Sequence, residues 1–273
     1  AACVVAGGVP SGVCGATGTI LGAAAHAALT VAFVRFKLGH FLFPAREYMG
    51  ALVLAVIGMP AAVLHQCPPQ AWLNKPGLWR LPVLGAESHK YTRGVVSICA
   101  GGTMPGAARL CAAGARAVGA GLVRLAAGLA APAYRLGEPG LVVDENPLPD
   151  LLADKRRKVW VCGPGLTEAE VQATLPTLLA SEKTILADAG ALSAFAGRPE
   201  ALKGVAVITP HVGEFTKLFG SPADHAPKAV RAAARLLGAV VVLKGATTLI
   251  AAPDGRLALN DHATPALGTA GSG

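Results

Sequence analysis

The run VWVCGPG at Val159–Gly165 gives way to a helical pattern over 168–180, and TILADAG at Thr184–Gly190 then leads into ALSAFAG. A short run of β-branched and aromatic residues that stops at Gly-Pro-Gly before a 3.6-residue period is a strand, a tight loop and a helix. The same unit recurs on both sides. VVSIC, Val95–Cys99, leads to AGGTMPG and a small-residue helix to about Val118, and VAVITPHVG, Val205–Gly213, leads to EFTKLFG. Repeated units of this kind predict an α/β fold with a doubly wound sheet and helices on both faces. At the end AVVVLKG, TTLIAAPDG and RLALN read as strands joined by tight turns, one of them marked by Pro253-Asp254-Gly255. Ligands of such sheets bind beyond the carboxyl ends of the strands, so the loops that leave these strands are where chemistry is sought.

Upstream the pattern is shorter. CVVAGGVPSG reads as a strand running into a turn, TILGAAAHAA as a helix, and LTVAFV and ALVLAVIGMP as two further strands, a piece of a Rossmann-like α/β sheet. From Ala61 to His89 Pro, Gln, Trp and Gly accumulate and periodicity is lost, which reads as a linker. The division expected is 1–59 for the partial first domain, 60–87 for the linker and 88–273 for the main domain.

With 273 residues and 53% hydrophobic content the chain has enough apolar material for a sizeable core. The stretch Thr17 to Val34 has the length of a membrane span, but its His26 and its Ala and Gly content read as a small-residue helix followed by a strand, so a soluble, cytoplasmic protein is expected. The six cysteines show no CxxC pair and no zinc spacing, and are read as free thiols in a reducing compartment. The net charge of +8 fits a phosphorylated small ligand. The one dense basic cluster, DKRRK at Asp154–Lys158, has no interleaved aromatics and reads as a solvated loop, which argues against nucleic acid or a membrane as partner.

Four glycine-bearing loops follow strands: Gly101-Gly102, Gly163-Pro164-Gly165, Gly213 in TPHVGE, and Lys244-Gly245. Glycine after a strand commonly does no more than turn the chain, but four such loops on one edge suit a phosphate-rich ligand. In LKGATT a lysine, a close backbone approach at Gly245 and the hydroxyls of Thr247 and Thr248 together suit polyphosphate oxygens. In TPHVGE the side chains of His211 and Glu214 are candidates for the cleft, and Glu214 reads more readily as the acid of a helix N-terminus than as a base.

Taken in order, HKYTRGVVSICAGGTMPGAARL, VWVCGPGLT, ILADAGALSAF, VITPHVGEF, VVLKGATTLIAAPDG and LNDHATPALGTAGSG resemble the ADP-dependent NAD(P)H-hydrate dehydratases of the ribokinase-like superfamily, over about residues 88–273. The upstream GGVPSGVCGATGTILGAA, FVRFKLGHFLFPAREYMG and VIGMPAAVL resemble the C-terminal part of the NAD(P)H-hydrate epimerases that are often fused in front of them. The resemblance implies a nicotinamide-nucleotide repair lyase that dehydrates the S epimer of hydrated NADH or NADPH while ADP is split to AMP and phosphate. Carried over position by position, Ala107, Gly165 and His211 match positions contacting the hydrated dinucleotide, and Lys244, Gly245, Ala246, Thr247, Thr248 and Gly273 match the adenine-nucleotide site. Mg2+ is expected with the nucleotide.

Departures from the family accompany the resemblance. Gly8 stands where the epimerases carry an aspartate, and Cys14 and Ala16 where acids are usual, which implies an inactive isomerase remnant in which Ser11 survives as a relic K+ ligand. Gly190 replaces an acid commonly found beside Asp188. The Gly271-Ser272-Gly273 turn is followed in the family by the aspartate that activates the substrate hydroxyl, so the chain is expected to stop one residue short of its catalytic base and to lack the terminal helices. Two rivals stand beside the lyase: a sugar or vitamin kinase on the same fold, and an inactive nucleotide-binding relic. Oligomeric state, including a homo-oligomer, stays open.

Overall fold

The computed structural model describes residues 3–60, 62–223, 225–262, 264, 266 and 268. The strands and helices, in chain order, are β1 (Val5–Gly7), β2 (Leu29–Phe33), β3 (Ala51–Ala55), α1 (Val63–Gln66), β4 (Ala71–Leu73), β5 (Val95–Cys99), α2 (Pro105–Ala117), β6 (Leu122–Ala126), β7 (Val142–Asp144) and α3 (Leu148–Ala153). They continue with β8 (Val159–Cys162), α4 (Glu168–Leu179), β9 (Thr184–Ala187), α5 (Gly190–Ser193), β10 (Val207–Ile208), α6 (Val212–Phe219), α7 (Ala226–Leu237), β11 (Val240–Leu243), β12 (Thr248–Ala251) and β13 (Leu257–Asn260).

Two sheets form. The first is three-stranded and parallel, in the order β1-β2-β3. The second has ten strands in the order β4-β13-β12-β11-β10-β9-β8-β5-β6-β7, and the seven from β11 to β7 are parallel. From β5 the chain moves outward through β6 to β7, then returns to the other side of β5 for β8 and proceeds through β9 and β10 to β11. The direction therefore reverses between the neighbours β5 and β8, which is where an open sheet of this type leaves a crevice.

Alternation along β8 shows why the sheet is covered on both faces. Trp160 and Cys162 enter a large core with Val171, Leu175 and Leu178 of α4, whereas Val161 joins a second core with Ile98, Leu125 and Ala108 and Ala112 of α2. Burying a side chain the size of Leu or Phe contributes about 1.5–3 kcal/mol, so a strand with apolar residues on both faces is stable only between two helical layers.

Two regions depart from the sequence expectation. The helix expected over TILGAAAHAA is absent: Ile20 bridges Val13, Gly18 and Gly22 take positive φ, and the amides bond to distant carbonyls, Ala25 to Ser11 and Ala27 to Tyr48. An Ala and Gly run has little side-chain area with which to hold a helix against a sheet, so tertiary backbone bonds decide its path. The stretch 60–87, expected as a linker, carries α1 and also β4, which pairs in parallel with β13 and extends the large sheet. Three residues are too few to show an alternating pattern.

Candidate functional site

The seven contiguous parallel strands from β11 to β7 end on one edge of the large sheet, and the glycine loops lie along it. The β5 exit is Ala100-Gly101-Gly102 and the β8 exit is Gly163-Pro164-Gly165, on either side of the crevice. Gly163 has φ +119, and a Cβ there would stand 1.8 Å from the carbonyl oxygen of Asp188, so only glycine fits. Gly165 has φ +76, and its Cβ position lies 3.3 Å from the Ala107 Cβ and 2.4 Å from the Met104 carbonyl oxygen. Two of the expected dinucleotide positions, Gly165 and the first turn of α2 at Ala107, are thus in contact, although 58 residues separate them by their numbers in the chain.

Gly190 is packed just as closely. A Cβ at this position would lie 2.5 Å from the Leu166 carbonyl oxygen and 2.9 Å from that of Gly163, so an acid is accommodated only if the β8 exit loop shifts. With glycine at 190 the carbonyls of Gly163 and Leu166 seat directly against this position.

His211 caps α6. Its Nδ1 accepts from the amides of Gly213 at 3.0 Å and Glu214 at 3.3 Å, and Glu214 Oε2 in return accepts from the His211 amide at 2.9 Å. Glu214 is buried in this capping box, as its place at a helix N-terminus suggests, while the imidazole edge remains largely exposed toward the strand ends. His211 pairs as an isolated parallel bridge with Lys244, whose amide donates to the Pro210 carbonyl at 2.8 Å.

Lys244 leaves the end of β11 and places Nζ 3.0 Å from Asp188 Oδ1 at the end of β9. Both side chains are about a quarter exposed, so this ion pair faces the edge rather than the core. Beyond it the amides of Gly245, Ala246 and Thr247 have no hydrogen-bond acceptor among the described residues, an arrangement that suits phosphate oxygens. The two threonine hydroxyls expected to bind polyphosphate are engaged otherwise: Thr247 donates to the Phe41 carbonyl at 2.8 Å and Thr248 to the Gly245 carbonyl at 3.4 Å. The first of these bonds brings the N-terminal segment onto the loop, and Leu42 enters the large core beside it.

Gly273 and the turn 271–273 lie outside the described residues, though β13 runs in the direction of β11 and delivers the chain to this same edge. Ser11 is exposed in a turn, and its carbonyl already accepts from the Ala25 amide. Gly8, φ +88, has open space around its Cβ position and its carbonyl contacts His40 Nε2 at 2.7 Å, so position 8 brings Ser11 no carboxylate with which to make a K+ site. Among the described residues no three His, Cys, Asp or Glu side chains cluster as metal ligands, and no helix is long and apolar enough to cross a membrane.

Several contributors escape the sequence reading. Tyr134, buried, donates to the Gly101 carbonyl at 2.5 Å, and the Glu170 carboxylate lies against Gly101, within 2.8 Å of where a Cβ would be. Glu170 also caps α4 by accepting from the Thr167 amide at 2.7 Å, a link visible in the sequence as T-x-x-E. Asp144, at the end of β7, is held by the guanidinium groups of Arg124 and Arg157, the latter at 2.7 Å. Cys99 and Cys162 end the paired strands β5 and β8; contact with the Cys162 thiol, reinforced by burial, raises the Cys99 thiol well above its usual range and keeps it protonated.

The sequence profile of the NAD(P)H-hydrate dehydratases matches residues 96–273. Bifunctional NAD(P)H-hydrate repair enzymes Nnr are similar over nearly the whole chain: that of Mycobacterium tuberculosis is 40% identical, covering 99% of this chain and 56% of the relative, and that of Thermosynechococcus vestitus is 34% identical, covering 97% and 56%. The chain spans about half the length of these curated relatives. Among solved structures, the ADP/ATP-dependent NAD(P)H-hydrate dehydratase of Bacillus subtilis, co-crystallised with ATP and Mg2+, superposes with a TM-score of 0.58 at 30% identity, over 70% of this chain and 72% of that one. A ribokinase-like superfamily protein of Enterococcus faecalis matches in fold, with a TM-score of 0.58 at 23% identity, over 69% and 70%. Matched over residues 96–273 by the family's sequence profile and over nearly its whole length by relatives up to 40% identical, this chain belongs to the NAD(P)H-hydrate dehydratase family.

Proposed function

We propose that the carboxyl edge of the large sheet dehydrates hydrated NADH or NADPH at the expense of ADP. What supports this reading most is that Ala107, Gly165, His211 and the Lys244–Thr248 loop, which the family resemblance singles out, fall along one edge of one parallel sheet. Hydroxide is a poor leaving group. Transfer of the terminal phosphoryl group of ADP to the hydrate hydroxyl, which gives up its proton, yields AMP and a phosphate ester; the nicotinamide nitrogen then expels phosphate to leave an iminium ion, and loss of a proton from the adjacent ring carbon regenerates NAD(P)H.

In this reading the amides of residues 245–247 and the Lys244 ammonium hold phosphate oxygens, Asp188 keeps that ammonium aimed between β9 and β11, and the Ala107–Gly165 contact gives the dinucleotide a close backbone surface. The capped N-terminus of α6 turns the His211 edge toward the same space. Magnesium shields phosphate charge when it is bound, and it suits this donor set as an ion carried mainly by the nucleotide, with Asp188 as the neighbouring carboxylate. The N-terminal part, with Gly8 in place of an acid, is proposed to be without epimerase activity. The six cysteines, all free, favour a reducing cytoplasm as the site of action.

Calorimetry with ADP tests the nucleotide loop. Lys244→Ala removes one charge-assisted contact, about 1.5–3 kcal/mol, and is expected to weaken ADP binding roughly ten- to hundred-fold. Equal affinities would take this loop out of the site. Turnover separates the lyase from a kinase: the chain continued after Gly273 with the aspartate and helices that the family resemblance implies should convert hydrated NADH and ADP to NADH, AMP and phosphate, where a kinase would release a stable phosphorylated product.

A further inference from the structure

A cavity of about 380 Å³ opens over the carboxyl ends of β5, β6 and β7, closed by α3 and the first turns of α4. Leu166, the residue after Gly165, forms one wall, so the cavity continues from the Ala107–Gly165 contact in the direction away from Lys244. Along the edge the order is Lys244 on β11, His211 after β10, Asp188 after β9, the glycine loop after β8, then the exits of β5, β6 and β7. Adjacent strands are about 4.8 Å apart, so the four steps from β10 to β6 span roughly 19 Å, the reach of an extended dinucleotide.

The chemistry of the walls is that of a nucleoside pocket. Leu148, Leu151 and Leu166 supply apolar surface for a flat base, and Glu145, Asn146 and Glu170 supply acceptors and an amide. Among the described residues no Lys or Arg is part of the lining. Glu145 stands at the mouth, more than half exposed, with one oxygen 2.5 Å from Arg135 Nη2 on the outside and the other uncommitted. Behind it the buried Asp144–Arg157 pair, joined by the half-buried Arg124, pins the end of β7, which fixes where Glu145 and Asn146 emerge.

Building on the dehydratase reading, we infer that this cavity takes the purine ribonucleoside half of the hydrated dinucleotide and that Glu145 selects a free ribose 2′-hydroxyl, favouring hydrated NADH over hydrated NADPH. A carboxylate accepts a hydrogen bond from a hydroxyl and repels a phosphate at the same place. Arg135 adds a consequence. It is occupied by Glu145 in the native chain, so removing the carboxylate frees a guanidinium beside the ribose, where it pairs with a 2′-phosphate.

Titration of the chain with unhydrated NADH and NADPH, read by nicotinamide fluorescence, tests this without turnover. The native chain is expected to bind NADH about ten-fold more tightly than NADPH, the worth of one charge-assisted bond. Glu145→Ala, an exposed and structurally tolerant position, should abolish or reverse that ratio, and adding Arg135→Ala should remove the gain for NADPH. Equal affinities in the native chain, or a ratio unchanged by Glu145→Ala, would overturn the inference. If those results came with conversion of hydrated NADH and ADP to NADH and AMP by the chain continued after Gly273, the dehydratase reading would stand and only the pocket assignment would fall. Failure to bind either dinucleotide, together with no AMP release by the chain continued after Gly273, would sink both.

Discussion

The two sheets of this molecule are built from similar strands and end differently. In β1, β2 and β3 the face that carries Val5, Phe33 and Val53 is open to solvent, and the core beneath the other face is small, centred on Val13, Ala45 and Met49. In β5, β8 and β9 each strand feeds two cores at once, and Trp160, Ile98 and Ile185 are fully buried. A parallel sheet is stable when both faces are covered, so most of the folding free energy is expected to sit in the second sheet. Their glycine loops differ in the same sense. Gly163 is locked between Asp188 and Ala191, whereas Gly8, also at a carboxyl end, has nothing within 4 Å of its Cβ position. Tight packing behind a loop fixes it for chemistry, and the loop of the small sheet has no such support.

The strongest way to break this comparison is to empty one core on each side. Trp160→Ala is expected to destabilise the chain by about 3–5 kcal/mol, whereas Phe33→Ala, at the open face, costs about 0.5 kcal/mol. Urea midpoints read the difference, and comparable losses would mean that the small sheet is as tightly built as the large one.

A smaller effect separates the loops. Gly163→Ala forces both a positive φ and a collision with the Asp188 carbonyl, at about 3 kcal/mol, while Gly8→Ala meets only the backbone term, about 1 kcal/mol. The same urea titration applies, and Gly163→Ala should in addition weaken dinucleotide binding because the loop cannot hold its shape.

The smallest expected effect sharpens the contrast at the opposite, amino edge of the large sheet, where Asp154 joins the basic cluster. Hydrogen bonding from Arg156 holds its carboxyl down to about 2. A depressed carboxylate contributes stability that is present above its unfolded value near 3.9 and is lost as the pH falls toward 2. Solvent screening limits that contribution to about 0.5 kcal/mol. Asp154→Asn should therefore lower the urea midpoint slightly at neutral pH and flatten its fall between about pH 4 and pH 2, where the two chains converge; an unchanged acid limb would show that Arg156 does not act on this carboxyl.

Much of the large sheet is legible in the chain because each βα unit carries its own punctuation. VWVCGPG and VAVITPHVG state where a strand ends, and the acid of TPHVGE states where the next helix begins. The Ala and Gly stretch before β2 has no such internal logic. Read locally it is a helix, and only bonds to residues as distant as Tyr48 draw it into an irregular path. The strand β4 is silent for a related reason: three residues acquire their conformation from β13, far along the chain.

The sequence by itself determined the succession of βα units in the large sheet and the edge on which their loops collect, since these follow from local periodicity and from residues that only particular backbones accept. Tertiary structure alone decided that Gly165 meets Ala107, that Gly190 sits against the carbonyls of Gly163 and Leu166, that Lys244 faces Asp188, and that a carboxylate-lined cavity continues the site across β5, β6 and β7. Those are contacts between residues remote in the chain, fixed by the order in which strands pair, and no local pattern of side chains encodes that order.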